Sequence, residues 1–262
     1  MNILSCSMTS YGFIDGSGKG YFYLDEIFQH LMEIGVKYVE INDPGLSEAE
    51  NLREQLARYG LKAATIGSGF NLGDENIGAN FSHVIESAEI MGANIIFAPL
   101  HSANFELSLV YDRLHQLGDA VAKKGIKISI ETHPELIHNG DVARKTMKGV
   151  NHPNICVNFD TGNIYFYNKG RTALGEVGKV AKHIASVHLK DTYGEYWTHR
   201  FPTLGKGVVN FAEIFQVLNE IGFYGPFTME LEGCGDEILT AEGVKESVAE
   251  SVAYLREIGC IE

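Results

Sequence analysis

The sequence predicts an α/β fold closed as a (β/α)8 TIM barrel, with residues 1–262 forming one domain. Three observations carry this. Short β-branched apolar runs alternate with longer helical patterns, the alternation repeats eight times, and 262 residues is close to the ~250 that such a barrel needs. An open doubly wound sheet is the alternative, and eight unbroken repeats favour closure over it.

Asn2 to Met8 reads as the first strand and Thr9 to Gly20 as a glycine-rich loop. Tyr21 to Ile34 is the first helix, because Leu24, Ile27, Phe28, Leu31 and Ile34 keep helical spacing. Lys37 to Ile41 is the second strand. Ser47 is expected to cap the second helix, with Glu50 as its capping-box partner and Gly60 as the stop. Leu61 to Ile66 and a helix from Ile77 to Met91 form the third unit, Asn94 to Leu100 and a helix from Phe105 to Lys124 the fourth. Ile126 to Glu131 and Asn154 to Asp160 are the next strands, followed by helices near Val142 to Lys148 and Thr172 to Lys182. Ile184 to Asp191 is the seventh strand. A long loop, Thr192 to Val208, leads to a helix from Phe211 to Ile221, and Phe227 to Glu232 with a helix from Thr240 to Ile258 completes the eighth unit.

Composition narrows the function. The balance of 21 Lys and Arg against 34 Asp and Glu gives a formal charge of −13, which disfavours nucleic acid and anionic membrane surfaces as partners. Cys6, Cys156, Cys234 and Cys260 show no C-x-x-C spacing and read as reduced thiols. No apolar run reaches the ~18 residues of a membrane span, and the first residues lack a charged leader region. A cytoplasmic protein is expected, with association into a homo-oligomer through the outer helices left open.

In a parallel barrel the strands all end on one face, which carries the site. Four strand ends bear metal-ligating groups: Glu131, Asp160, His188 and Glu230. Three carboxylates brought together would repel one another without a cation. With one imidazole they suit a hard or borderline divalent ion, Mn2+ foremost, with Mg2+, Co2+, Fe2+ or Zn2+ as alternatives. Glu232 shares a strand face with Glu230 and is its rival as ligand.

The motifs Ile-Glu-Thr-His at 130–133, Asn-Phe-Asp-Thr-Gly-Asn at 158–163, Val-His-Leu-Lys-Asp at 187–191, Leu-Gly-Lys-Gly-Val-Val-Asn-Phe at 204–211 and Met-Glu-Leu-Glu at 229–232 lie in the C-terminal half. Together they resemble the xylose isomerase-like TIM barrels, which include ketose 3-epimerases, hydroxypyruvate isomerase, inosose dehydratase and, more distantly, endonuclease IV. The resemblance implies one divalent ion held by Glu131, Asp160, His188 and Glu230, with Glu131 and Glu230 doubling as acid and base. Asn163 stands where relatives with a more elaborate site often carry histidine, which speaks against the three-metal arrangement of the endonuclease branch.

The chemistry is coherent without the resemblance. A divalent ion on a ketose would polarise the carbonyl and favour an enediolate, and two carboxylates could then remove and return a proton. Candidates to bind substrate are Glu40, His133, Lys190, Asp191 and Arg200, with Lys190 and Asp191 expected to pair. Tyr11, Phe13, Phe70 and Trp197 are expected to form an aromatic wall, residues 16–20 a lid, and His101 a structural contact. The reading is a metal-dependent isomerase or epimerase of a ketose, keto-polyol or sugar phosphate. A dehydratase of the inosose dehydratase type is the alternative. A phosphodiesterase or a noncatalytic sugar-binding barrel ranks behind both.

Overall fold

The β-branched runs build eight parallel strands that hydrogen-bond in chain order and close on themselves: β1 (Leu4–Ser7), β2 (Tyr38–Asn42), β3 (Lys62–Gly67), β4 (Ile95–Ala98), β5 (Lys127–Glu131), β6 (Ile155–Asp160), β7 (Ile184–Leu189) and β8 (Phe227–Met229). The computed structural model describes residues 1–11, 23–100, 104–234 and 240–262. Closure joins the two ends of the chain. β1 pairs with β8 through Leu4↔Phe227 and Cys6↔Met229, and Ile3 adds backbone bonds to Tyr224 and Phe227 at 2.7 and 2.9 Å.

The outer layer comprises α1 (Leu24–Glu33), α2 (Leu46–Arg58), α3 (Ile77–Asn80), α4 (Ser82–Met91), α5 (Leu107–Ala122), α6 (Gly140–Val150), α7 (Thr161–Tyr167), α8 (Ala173–Val180), α9 (Phe211–Glu220) and α10 (Ala241–Glu257). Their apolar stripes pack on the strands, as with Ile27, Phe28 and Leu31 of α1. Side-chain caps start five of them: Asn139, Thr172, Asn210 and Thr240 accept from the amides of Val142, Gly175, Glu213 and Gly243, and Asp160 caps α7. Among the described residues no helix is long and apolar enough to cross a membrane, and no disulfide links any two of the four cysteines.

The elements depart from expectation at four places. Ser47 does not cap α2: the helix begins one residue earlier behind Gly45 at φ +74°, and Glu50 pairs with Arg53 instead. The third helix is interrupted at Phe81, whose φ and ψ of −84° and −2° separate α3 from α4. β8 stops at Met229, so Glu230 lies just beyond it, tied on by its amide to the Leu189 carbonyl at 3.1 Å. α7 has no counterpart in the sequence pattern. Its residues 161–166 are all buried, so it has no polar face to reveal a helical period.

Inside the barrel, period-two alternation gives β5 to β8 a second inward position two residues below each ligand candidate. These are Ser129, Asn158, Ser186 and Thr228, all fully buried. Ser129 Oγ lies 2.7 Å from Ser186 Oγ, across non-adjacent strands, and Asn158 Nδ2 donates to Ser186 Oγ at 2.9 Å. A small polar layer thus supports the charged one.

Candidate metal centre

β5 and β6 end in Glu131 and Asp160, His188 is the penultimate residue of β7, and Glu230 follows β8. Register aligns them: Asp160 pairs with His188, and His188 with Thr228. One ligand atom from each of Glu131, Asp160, His188 and Glu230 lies within 4.8 Å of all the others. His188 Nδ1 faces Glu230 Oε2 at 3.0 Å, Asp160 Oδ2 at 3.8 Å and Glu131 Oε1 at 3.9 Å.

Each candidate ligand is held by its other atoms. His188 Nε2 sits 3.1 Å from Glu40 Oε1, and Thr65 Oγ1 donates to Glu40 Oε2 at 2.7 Å, so Glu40 fixes the imidazole with Nδ1 toward the cluster. The Phe97 ring, 4.6 Å from the imidazole centroid, braces it. Asp160 caps α7: its Oδ1 accepts from the amides of Gly162 and Asn163, both at 2.8 Å. Thr132 supports the same strand end, accepting from the Asp160 amide at 3.0 Å and donating to the Asn158 carbonyl at 3.1 Å. Glu131 Oε2 is 2.7 Å from His133 Nδ1.

Lys190 reaches the same cluster. Its ammonium lies 3.2 Å from Asp160, 2.8 Å from Glu230 and 3.1 Å from Glu232, at 2% exposure. Gly162 makes room for it, since a Cβ there would stand 2.7 Å from Lys190 Cγ. Burial opposes the charge on Lys190, but Asp160, Glu230 and Glu232 outweigh it and hold the amine well above its ordinary value. Burial likewise opposes charge on His188, and Glu40 and Glu230 overcome it, holding the imidazole well above its usual value. Burial would raise Glu230, but Lys190 and His188 drive it well below the carboxylate range. Asp160 is pushed up to about 6, chiefly by burial.

This donor set fits a divalent ion. Among the described residues, Asp160 Oδ2 is buried and accepts no hydrogen bond, and its charged contacts are Lys190 and the His188 ring. A cation amid three carboxylates would relieve their repulsion and give that oxygen a partner. The geometry also separates the rivals on β8. Glu230 joins the cluster, while Glu232 is 44% exposed and pairs with Lys190.

The other candidates are distributed differently. Glu40 is buried behind His188 and also lines the cavity beside the cluster, and His133 contacts Glu131 and the Tyr167 ring at 5.5 Å. The expected ion pair between Lys190 and Asp191 does not form. Both Asp191 oxygens are committed to the β7–α9 loop, accepting from the amides of Thr192, Gly205, Gly207 and Val209 at 2.8–3.1 Å. Arg200 is half exposed, pairs with Glu195 at 3.5 Å and lies over the Tyr193 ring. Trp197, 61% exposed at φ +56°, stacks on Phe166 with centroids 5.0 Å apart.

The aromatic wall therefore has other members than expected. Tyr11 is buried with its hydroxyl 2.7 Å from His30, and Phe70 packs edge-on to Phe81. The wall is built from Phe166, Tyr167, Trp197, His199 and Phe201. Phe13, residues 16–20 and His101 lie outside the described residues. Thr65, Thr132 and the α7 aromatics were not singled out from sequence; only Thr132, inside the Glu-Thr-His motif, carried a signal.

Residues 28–258 match the family model described as xylose isomerase-like TIM barrel. The chain belongs to that family. Within this xylose isomerase-like family setting, inosose dehydratase of Geobacillus thermodenitrificans is 28% identical over 143 residues, 48% of this chain and 47% of that protein. The chain spans about half the length of the curated relatives it matches. D-psicose 3-epimerase of Clostridium cellulolyticum H10, solved with D-tagatose, superposes with a TM-score of 0.77 at 14% identity, over 98% of this chain and 99% of that one. A xylose isomerase-like TIM barrel protein of Mycobacterium smegmatis, solved with magnesium, gives 0.73 at 21% identity, over 98% and 96%. The two superpositions establish a shared fold.

Proposed function

We propose that the protein is a divalent-metal-dependent sugar isomerase or epimerase, acting on a ketose, a keto-polyol or a phosphorylated form. The observation that carries the reading is the convergence of Glu131, Asp160, His188 and Glu230 from four strands, with Asp160 Oδ2 left without a hydrogen bond. These four residues would hold the ion, for which Mn2+ is our choice. When bound, it would supply Lewis acidity to a carbonyl and its neighbouring hydroxyl.

The chain's own groups then move the proton. Glu131, on β5, and Glu230, beyond β8, serve as the acid and base: one takes the proton α to the carbonyl and the other returns it. Return to the same carbon inverts it, and return to the neighbouring carbon isomerises the sugar. His133 holds Glu131, while Lys190 and His188 hold Glu230 charged. Tyr167, Trp197 and their aromatic neighbours restrict water on one side. The free cysteines and the excess of acidic residues suit a small sugar as partner in a reducing cytoplasm.

A second reading, dehydration of an inosose-like substrate, is favoured by the inosose dehydratase match and by Lys190. Its ammonium, 2.8 Å from Glu230, offers a proton donor to a departing hydroxyl. Solvent deuterium incorporation into a panel of ketoses and inososes, followed by NMR with Mn2+ and with chelator, tests the first reading. Metal-dependent exchange at one carbon, abolished by Glu131→Gln and Glu230→Gln, supports it. Loss of 18 mass units from the substrate selects the dehydratase, and neither exchange nor water loss across the panel overturns both.

A further inference from the structure

A cavity of about 490 Å³ opens beside the metal centre, between the ends of β1 and β2 and one face of α2. That volume lies in the range of ~300–1,000 Å³ typical of small-molecule sites. Glu40 and Glu230 form its inner end, so the cavity is continuous with the cluster. Its outer wall follows helical spacing: Glu48, Asn51, Leu52 and Gln55 fall at i, i+3, i+4 and i+7 on α2. Asp43, just past β2, and the Phe97 ring complete the lining used here.

The lining discriminates by charge. Met8, Leu24, Ile41, Leu52 and Phe97 make much of the wall apolar. The polar groups set into it include Asn51 and Gln55, which donate and accept, and carboxylates, which only accept, so hydroxyls directed at them find acceptors. Among the described residues that line it, none is Lys, Arg or His. Glu40 and Glu230 have cationic partners in His188 and Lys190. Asp43 and Glu48 make no ion pair among the described residues: Asp43 accepts from the Gly45 amide and the Ser87 hydroxyl. A phosphate dianion in this space would meet two uncompensated carboxylates. A solvated helix face would account for Glu48 and Asn51 alone. It does not account for their sharing one concave space with the buried end of the centre.

We propose that this cavity receives the distal, uncharged, hydroxylated arm of the substrate, so that a free ketose or keto-polyol is taken and its phosphate ester refused. The inference rests on the metal-dependent proton transfer proposed above and narrows its substrate. The test uses matched pairs, ketohexoses with their 6-phosphates and ketopentoses with their 5-phosphates. Binding is read by saturation-transfer NMR on the metal-free protein, and kcat/KM for deuterium exchange is read with Mn2+.

The free member of a pair should bind and exchange, with kcat/KM for the ester lower by about a hundredfold through like-charge repulsion at short range. Glu48→Lys should narrow that ratio by about tenfold, mainly through the ester's KM, and Glu48→Gln should narrow it less, each variant melting as the wild type does. An ester handled as well as its free sugar overturns this inference and leaves the proton-transfer reading standing. A ratio unmoved by Glu48→Lys removes the cavity from the explanation. Exchange with neither member of any pair overturns the proton-transfer reading, and this inference with it.

Discussion

The two halves of the barrel mouth are made of different material. β5 to β8 deliver Glu131, Asp160, His188 and Glu230, each above a small polar residue on the same strand face. Among the described residues before position 101, Glu40 is the one buried charged side chain, and its neighbours toward the cavity are Met8, Ile41 and Phe97. Charge is concentrated where mutual repulsion and counter-charge can be set against each other. Space and shape are left to the opposite half. The ionisable cluster thus belongs to the C-terminal strands, while the N-terminal strands supply support and room.

The largest effects should break the comparison if it is wrong. Glu131→Gln and Glu230→Gln should each lower Mn2+-dependent exchange by about a thousandfold, within the range for loss of a general acid or base. Asp160→Ala should abolish Mn2+ binding in calorimetry. If Glu230→Gln keeps its exchange while Glu40→Gln loses all of it, the division between halves fails.

Glu40→Gln should instead act through His188. It loosens the imidazole and should weaken Mn2+ affinity about 10- to 100-fold, the usual cost of removing the partner behind a metal-binding histidine. The proton-transfer step in the Mn2+-saturated variant should change far less, which a titration of activity against Mn2+ would separate.

Asp191 provides a sharper contrast within the C-terminal half. A Cβ on Gly207 would overlap Asp191 Oδ1 and the Thr192 carbonyl oxygen, so Gly207→Ala should cost about 1–3 kcal/mol. At about 2–4 °C per kcal/mol for a chain of this size, the loss is visible in a melting curve. Arg200→Ala, removing one exposed ion pair, should leave the melting temperature within about 2 °C.

The smallest effect expected is a pH dependence. Burial disfavours the His133 cation, but Glu131 beside it prevails and the imidazole pKa is raised. The folded protein therefore keeps a proton that the unfolded chain gives up. That contribution to stability is complete below the unfolded value of about 6.5 and is lost as pH rises through the folded value. In chelator, the difference in melting temperature between wild type and His133→Gln should shrink as pH rises from 6 to 8.

Strand ends were legible because an apolar run that stops at an ionisable residue is a local signal. Barrel closure was legible because the alternation never breaks. α7 was not, since a helix buried on every side has no periodic face, so Trp197 was legible as an aromatic of the loop after β7 while its partners Phe166 and Tyr167 on α7 were not. Asp191 looked like its neighbours in Val-His-Leu-Lys-Asp, yet its role is set by four backbone amides up to 18 residues downstream. Glu40 was visible as a carboxylate at a strand end, but its partner His188 lies 148 positions away, a distance that no local pattern spans.

The pairing of β1 with β8 is the seam that closes the barrel around this site. It joins segments from opposite ends of the described chain, so it pays the greatest loop-closure entropy of any strand contact and belongs among the last to form. Before that event, β5, β6 and β7 can already gather Glu131, Asp160 and His188 as neighbours. Glu230 joins them when β8 pairs with β7 and its amide bonds to the Leu189 carbonyl. Were an ion held there as proposed, all four donors would be assembled once β8 docks on β7, and the pairing of the first strand with the last would close the barrel around them.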